Sequence, residues 1–229
     1  MTIRFNKKAK SAEILLYGSI GASWWGDSIT AVDFKKELKN LGEIDEISLR
    51  INSEGGSVFD AAAIYNSLVE HPARVVAHVD GMALSAASVI LMAGEERHMA
   101  ENAFIMIHDP WSMVAGDSRA LRKEADLLDQ IKSTIVKMYV DRTGISVEEA
   151  EQLMSDETWM TADEAKEKGF IDSITENLKV AASFDATRFN RVPDWARNRS
   201  KTDEPEQNLA RRQRLARMNQ RVARFAKQK

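Results

Sequence analysis

The chain contains no cysteine and only four prolines among its 229 residues. The absence of cysteine excludes a disulfide framework and suits a reducing compartment. No apolar run approaches the ~18 residues of a membrane-spanning helix. The basic residues 1–8 (MTIRFNKK) are not followed by the apolar region and cleavage site of a secretory signal. We therefore expect a soluble, cytoplasmic protein.

The sequence also lacks the motif of a common nucleotide site. It has no Gly-x-x-x-x-Gly-Lys-Ser/Thr pattern, so the chain carries no P-loop ATPase of its own. We expect neither a metal ion nor an organic cofactor. The apolar fraction of 44% is sufficient for one sizeable core, and the chain length suits one domain with an appendage.

Basic charge is concentrated towards the C-terminus. Residues 181–229 hold 13 Lys and Arg against five Asp and Glu, a net charge of +8, which leaves −11 for residues 1–180. Apolar residues recur there three or four positions apart among arginines, a spacing typical of an amphipathic helix: Leu215, Met218, Val222 and Phe225. We predict a linker over 179–208 and a basic helical tail over 209–229. The tail is either solvated or in contact with an acidic protein surface or nucleic acid.

The remaining chain alternates between strand and helix patterns. Period-2 and short apolar runs predict strands at 12–18, 46–51, 74–79 and 103–107. Spacings of three and four predict helices at 27–41, 57–70, 84–93 and 117–143. Capping-box patterns beginning at Ser146 and Thr161 predict two further short helices. Such alternation favours an α/β domain with a largely parallel sheet.

One serine and one histidine stand where rigid elements would hold them. A serine needs a base within hydrogen-bond reach to act as a nucleophile. Ser85 comes just before the apolar residues 89–93, which indicate a buried helix, and His108 ends the apolar strand 104–107. Both groups are thereby predicted to lie fixed at the edge of a core, which is how catalytic groups are held. Residues 51–57 (INSEGGS) add a strand–Gly-Gly–helix turn whose N–H groups could bind an oxyanion.

These segments resemble the proteolytic subunit of the Clp protease. The matching pieces are residues 52–56 (NSEGG), 81–85 (GMALS), 106–110 (MIHDP) and 159–165 (WMTADEA). Each piece is a weak motif, but their order and spacing fit the family together. The resemblance extends over roughly residues 12–175.

The resemblance implies the Clp/crotonase superfold, built from repeated ββα units, with a peptidase domain over residues 1–178. It implies a serine endopeptidase in which Ser85 is the nucleophile and His108 the general base. The oxyanion hole would come from the N–H groups of Gly56 and Ala86. Members of the family form stacked rings, commonly heptameric, with the active sites inside.

The resemblance also indicates where a peptide would bind. Four residues would border the extended substrate, which the family binds by strand addition: Gly55, Ser57, Asp109 and Pro110. These positions combine the glycine turn with the residues that follow the histidine.

The acid of the triad departs from the family's pattern. The family has an aspartate two residues before the aromatic of the fourth motif, where this chain has Glu157 with Asp156 beside it. A carboxylate is needed to hold the imidazole tautomer and to stabilise the imidazolium. Glu157 is the favoured candidate and Asp156 the next; alternatively, both merely precede a helix cap. Asp109 and Asp172 are weaker candidates that we interpret as structural.

The other serine and histidines near these motifs have simpler interpretations. Ser88 lies one helical turn after Ser85 and is predicted to face the helix interior. His71 precedes a proline at a helix end, His78 lies in a strand, and His98 is predicted to lie in a charged turn. We interpret these three histidines as structural.

Within the family, the phage head-maturation proteases are the favoured subtype. Residues 182–189 resemble the segment that follows the peptidase domain in phage and prophage members, and a basic extension follows. The N-terminus enters its first strand without the longer segment that shapes the axial gate of the housekeeping subunit. A capsid or scaffold protein would then be the substrate. A housekeeping subunit fed by an ATP-dependent unfoldase and a catalytically silent scaffold remain alternatives, whereas a crotonase-type acyl-CoA enzyme would need no Ser–His pair.

Overall fold

The computed structural model describes residues 2–6, 10–22, 28–177 and 189–194. Within these residues the strands are β1 (Thr2–Asn6), β2 (Ser11–Tyr17), β3 (Ser19–Ile20), β4 (Ser28–Ile29), β5 (Glu46–Ser53), β6 (Arg74–Leu84), β7 (Glu96–Ala100), β8 (Phe104–Ile107), β9 (Thr158–Met160) and β10 (Ser173–Thr175). The helices are α1 (Ala31–Asn40), α2 (Val58–Val69), α3 (Ala86–Leu91), α4 (Ser118–Thr143), α5 (Val147–Ser155) and α6 (Ala162–Glu167).

The main sheet is largely parallel. Its strands follow the order β1-β2-β5-β6-β7-β10, and each pair along this path is parallel except β1 with β2. Strand β6 changes partner along its length, because residues 76–79 pair with β7 whereas residues 82–84 pair with β8. Strand β8 in turn pairs antiparallel with β9. The predicted α/β domain with a largely parallel sheet is confirmed.

The core lies between the sheet and the helices. Alternate residues of β2 and β5 are fully buried, as expected for strands covered on one face: Ala12, Ile14, Leu16, Ile47, Leu49 and Ile51. Helix α2 contributes Ala61, Ile64 and Leu68, and every residue of α3 is buried. Helix α3 packs against both α2 and β6. These contacts fix the position of its first residue and of the turn before it.

Helix boundaries follow side-chain caps, and two of them correct the predictions. The helix predicted over 27–41 begins only at Ala31, because the Thr30 side chain accepts a hydrogen bond from the Asp33 N–H and residues 28–29 form β4. The helix predicted over 84–93 is shorter at both ends, since Leu84 completes β6 and α3 ends at Leu91.

A third correction concerns His98, which was predicted to lie in a charged turn. It lies instead within β7, where it pairs with His78 of β6 on one side and with Ser173 of β10 on the other. Sequence patterns do not predict β7, because its residues are mostly polar and their strand conformation depends on neighbours distant in the sequence.

A smaller apolar cluster lies at the end of the sheet where β8 and β9 pair. Met82, Leu84 and Met106 are joined there by Phe189 and Val192, with Trp159 packed against them. The segment 189–192 therefore contacts the main body of the fold, although it belongs to the stretch predicted as a linker. The basic tail predicted for 209–229 lies outside the described residues. In the part of the chain that the structure describes, no helix has the length and apolarity needed to cross a membrane.

Candidate active site

Ser85 lies at the junction of β6 and α3 with an unusual backbone conformation. Its φ of 53° and ψ of −127° fall outside the regions that L-residues prefer, and such outliers concentrate at functional sites. Its N–H donates to the Met106 carbonyl at 2.8 Å, which connects the turn to β8. The Ser85 side chain does not cap α3, so the hydroxyl is directed to another partner.

That partner is His108, which follows the last residue of β8. Its Nε2 lies 2.7 Å from Ser85 Oγ. A hydroxyl proton can be donated across this distance to an unprotonated Nε2 when the other imidazole proton is on Nδ1. The pairing of Leu84 with Met106 in the β6–β8 ladder sets this separation. The structure thus brings together the nucleophile and base predicted from the sequence.

The glycine turn presents backbone N–H groups beside this pair. Gly56 lies opposite Ile20 in a parallel bridge, in which Ile20 N–H donates to Gly55 O and Ser57 N–H donates to Ile20 O, both at 2.9 Å. Because the flanking groups make these bonds, the Gly56 N–H points away from Ile20. Ala86 is the first residue of α3, so its N–H has no acceptor within the helix. Both N–H groups suit an oxyanion.

A cleft of about 290 Å³ opens beside Ser85 and His108. Of the residues predicted to border a substrate, Ser57 and Pro110 line it, as do Gly56 and the side chains of several apolar residues: Phe59, Trp111, Leu127, Leu128, Ile131 and Phe189. Such an apolar wall with few polar groups is typical of a ligand site.

Gly55 and Asp109, also predicted to border the substrate, are not among the lining residues. The Asp109 carboxylate turns towards α4 and α5, where its Oδ1 lies 2.8 Å from Lys132 Nζ and its Oδ2 accepts a hydrogen bond from Ser155 Oγ at 3.2 Å. Asp109 therefore connects the segment after the histidine to two helices.

The structure does not bring Glu157 to His108. The Glu157 side chain is buried, and its Oε2 accepts a hydrogen bond from Asn190 N at 2.8 Å while its Oε1 accepts one from Arg191 N at 2.5 Å. A buried carboxylate must be hydrogen-bonded, and two consecutive backbone N–H groups satisfy this one. The resemblance implies that Glu157 orients His108. In the structure the Glu157 carboxylate instead binds the backbone of Asn190 and Arg191.

The other acidic candidates also bond elsewhere. Asp156 is exposed and accepts hydrogen bonds from Gln152 Nε2 at 2.6 Å and Arg191 Nη1 at 2.7 Å, which together lower the pKa of its carboxyl. Partial burial would raise the pKa of Asp172, but hydrogen bonds and the charge of Arg97 outweigh it and hold that pKa below its ordinary value. Among the described residues, no three His, Asp or Glu side chains are grouped to hold a metal ion.

Ser88 is fully buried and confirms its predicted inward orientation. Its hydroxyl donates to the Ser85 carbonyl and lies 2.8 Å from the Tyr139 hydroxyl of α4. Ser88 therefore supports the turn that carries Ser85 rather than facing the cleft.

The three remaining histidines lie away from the cleft. His71 Nδ1 accepts a hydrogen bond from Ala73 N at 3.1 Å, and burial lowers the pKa of its ring. His78 and His98 stack with their centroids 4.9 Å apart. Burial first, and then the charges of Arg50 and His98, lower the pKa of His78 to about 4. These contacts are structural in kind, as the sequence suggested.

Phe189 belongs to the site although no sequence pattern identified it as such. Its ring lines the cleft, with its centroid 6.0 Å from that of His108 and 5.6 Å from that of Trp159. The aromatic residues of this stretch, Phe184, Phe189 and Trp195, form no periodic pattern, so only the tertiary structure reveals the place of Phe189.

Comparison with known proteins shows to which family the chain is related. The family model described as Clp protease matches residues 6–178. The chain is 35% identical over 131 residues to ATP-dependent Clp protease proteolytic subunit 2 of Mycolicibacterium paratuberculosis, covering 56% of this chain and 66% of that protein. It is 33% identical over 153 residues to the ATP-dependent Clp protease proteolytic subunit of Bacteroides fragilis, covering 65% of this chain and 74% of that one.

Among solved structures, a ClpP1 point mutant from Listeria monocytogenes superimposes with a TM-score of 0.63 at 28% identity, covering 72% of this chain and 91% of that chain. This likeness confirms the predicted Clp fold. The matched residues include strands β2 to β10, Ser85, His108 and the glycine turn. The chain therefore belongs to the Clp protease family of serine peptidases.

Proposed function

We propose that the chain is a serine endopeptidase whose catalytic residues are Ser85 and His108. The 2.7 Å separation between Ser85 Oγ and His108 Nε2, at the wall of a cleft, is the observation that carries the proposal. The strained backbone at Ser85 supports it, because strain is retained where function requires it.

The reaction follows from these positions. Ser85 Oγ attacks the scissile carbonyl carbon while His108 Nε2 accepts its proton. The N–H groups of Gly56 and Ala86 bind the oxyanion of the tetrahedral intermediate, and removing one such donor typically costs ~10²–10³ in rate. His108 then gives the proton to the leaving amine, and a water activated by the same imidazole hydrolyses the acyl-enzyme.

The chain would act as a cytoplasmic homo-oligomeric ring on protein substrates, with capsid or scaffold protein as the physiological target in phage head maturation. What supports this subtype is the strongly basic composition of residues 181–229, which begins just beyond the family match. The extension would contact an acidic protein surface or nucleic acid. The names of the similar bacterial proteins favour a second candidate, the proteolytic subunit of an ATP-dependent Clp protease.

Covalent labelling by a fluorophosphonate tests the catalytic proposal. The wild-type protein should be labelled on Ser85 and should cleave a short peptide. Ser85→Ala should be neither labelled nor active on the peptide, and its thermal unfolding transition should be unchanged. Labelling that persists in Ser85→Ala and disappears in Ser88→Ala would reassign the nucleophile. A folded wild-type protein that takes up no label would instead indicate a silent scaffold.

Protein substrates distinguish the two biological roles. Cleavage of a capsid or scaffold protein without added ATP supports head maturation. Degradation of a folded substrate that requires a Clp unfoldase and ATP supports the second candidate.

A further inference from the structure

A short segment far along the chain covers part of the catalytic site. Phe189 and Val192 are both buried, 8% and 4% exposed, in the apolar cluster with Met82, Leu84 and Met106. Leu84 immediately precedes Ser85, and Met106 accepts the hydrogen bond from the Ser85 N–H. The segment 189–192 therefore packs on the residues that position the nucleophile.

The same segment contacts the general base. The Phe189 ring lies 6.0 Å from the His108 ring, centroid to centroid, at an interplanar angle of 60°. The Phe189 ring also meets the Trp159 ring edge-on, with the two centroids 5.6 Å apart. An aromatic ring fixed by a second aromatic ring restricts the rotation of an imidazole beside it. Phe189 also lines the cleft, as His108 does.

Glu157 holds this segment in place. Its two carboxylate oxygens receive the N–H groups of Asn190 and Arg191, which directly follow Phe189. Hydrogen bonds to an ionised acceptor are stronger and shorter than neutral ones. The carboxylate is buried, 6% exposed, so these bonds are shielded from water. The neighbouring ion pair from Arg191 to Asp156 is exposed on both sides and contributes far less.

We propose that Glu157 and Phe189 are positioning residues, with Glu157 fixing segment 189–192 so that Phe189 holds the His108 ring in its productive orientation. The proposal rests on the proposed function of Ser85 and His108. It gives Glu157 a part in catalysis that acts through the downstream segment rather than through a direct bond to the imidazole.

A double-mutant cycle on the full-length chain tests this. Glu157→Gln, Phe189→Ala, their combination and the neighbouring control Asp156→Asn are compared by fluorophosphonate labelling rate and by kcat and KM for one peptide. Labelling reports the activation of Ser85 by His108 without extended substrate contacts. Because misplacement by about 1 Å can cost ~10² in rate, Phe189→Ala and Glu157→Gln should each slow labelling at least about tenfold, with kcat falling more than KM rises.

Coupling between the two sites decides between indirect and direct action. If Glu157 acts through Phe189, Glu157→Gln should have little further effect in the Phe189→Ala background, because both changes remove one interaction. Phe189→Leu, which keeps an apolar side chain, should recover part of the rate, and Asp156→Asn should label nearly as wild type. Unfolding midpoints show which variants are folded, and if Phe189→Ala is not, Phe189→Leu replaces it in the cycle.

Two results would overturn the proposal. If Glu157 is instead the triad acid, Glu157→Gln should lower the rate by a factor of about 10⁴. This loss should be equally large with or without Phe189. Normal labelling in folded Phe189→Ala would show that the ring does not position His108. Failure of the proposed function is a separate result, because it would appear either as a folded wild-type protein that takes up no label or as labelling that does not depend on Ser85.

Discussion

Replacing Gly55 by alanine should damage the active site more than the fold. Gly55 has a φ of +86°, and a Cβ placed on it would lie 2.5 Å from the Leu84 carbonyl oxygen, 2.8 Å from Ser85 Cβ and 3.0 Å from Ala86 N. All three atoms belong to the turn that carries Ser85. Since two of them are backbone atoms, the methyl group can be accommodated only if that turn moves.

Gly42 provides a matched control. Its φ of +69° is also left-handed, but a Cβ there would meet nothing within 4 Å. Gly42→Ala should therefore cost only the backbone strain of ~1–2 kcal/mol. Gly55→Ala bears a similar strain and adds an overpacking cost of typically ~1–3 kcal/mol, so the difference between the variants isolates the steric contact.

The assay combines urea unfolding with fluorophosphonate labelling. Gly42→Ala should unfold earlier and label at the wild-type rate. Gly55→Ala should unfold earlier still and label roughly 10²-fold more slowly, since displacement of about 1 Å has that effect on rate. If Gly55→Ala labels normally and matches Gly42→Ala in stability, the close approach of the glycine turn to Ser85 has no catalytic importance.

Three further predictions concern residues other than Ser85 and His108. The pKa of His78, about 4 in the fold against 6.5 for a free imidazole, means that the unfolded chain binds its proton first as pH falls. Stability should therefore decline between about pH 6.5 and 4, by ~1–2 kcal/mol after allowance for solvent screening, and His78→Gln should remove that decline in urea midpoints. Ser88→Ala leaves the buried Tyr139 hydroxyl without its partner and should cost ~1–3 kcal/mol in unfolding free energy, while labelling persists; lost labelling in a folded variant would contradict this. Ending the chain after Glu206 should preserve peptide turnover and remove salt-sensitive partner binding, and lost turnover in an intact ring would show that the basic tail belongs to the enzyme.

The parts of the fold that sequence reasoning predicted are those with local signals. Strand β5 alternates between buried and half-buried residues along its whole length, and α2 buries Ala61, Ile64 and Leu68 at helical spacing. Helix α1 was predicted to begin too early, because the cap at Thr30 is one hydrogen bond that periodicity does not report.

In the candidate site, too, some features have a sequence signal and others depend on the folded chain. Ser85 directly follows β6 and His108 directly follows β8, and the motifs that resemble those of the Clp family predicted that the two side chains would act together. The environment of Glu157 could not, because its partners lie at Asn190 and Arg191 and only the folded chain brings them near. A motif identifies which residue occupies a position, whereas the direction of its side chain depends on what packs around it.

The three-residue ladder between β6 and β8 makes the geometry of Ser85 and His108 sensitive to changes in chain length. Leu84 and Met106 are partners in this ladder. Ser85 directly follows Leu84, and His108 lies two residues after Met106. Because successive side chains of a strand point to opposite faces, deleting one residue within β8 would turn the imidazole away from Ser85 while leaving the composition almost unchanged. In a scan of single deletions, residues 104–107 should thus be intolerant, even where an apolar substitution at the same position is accepted.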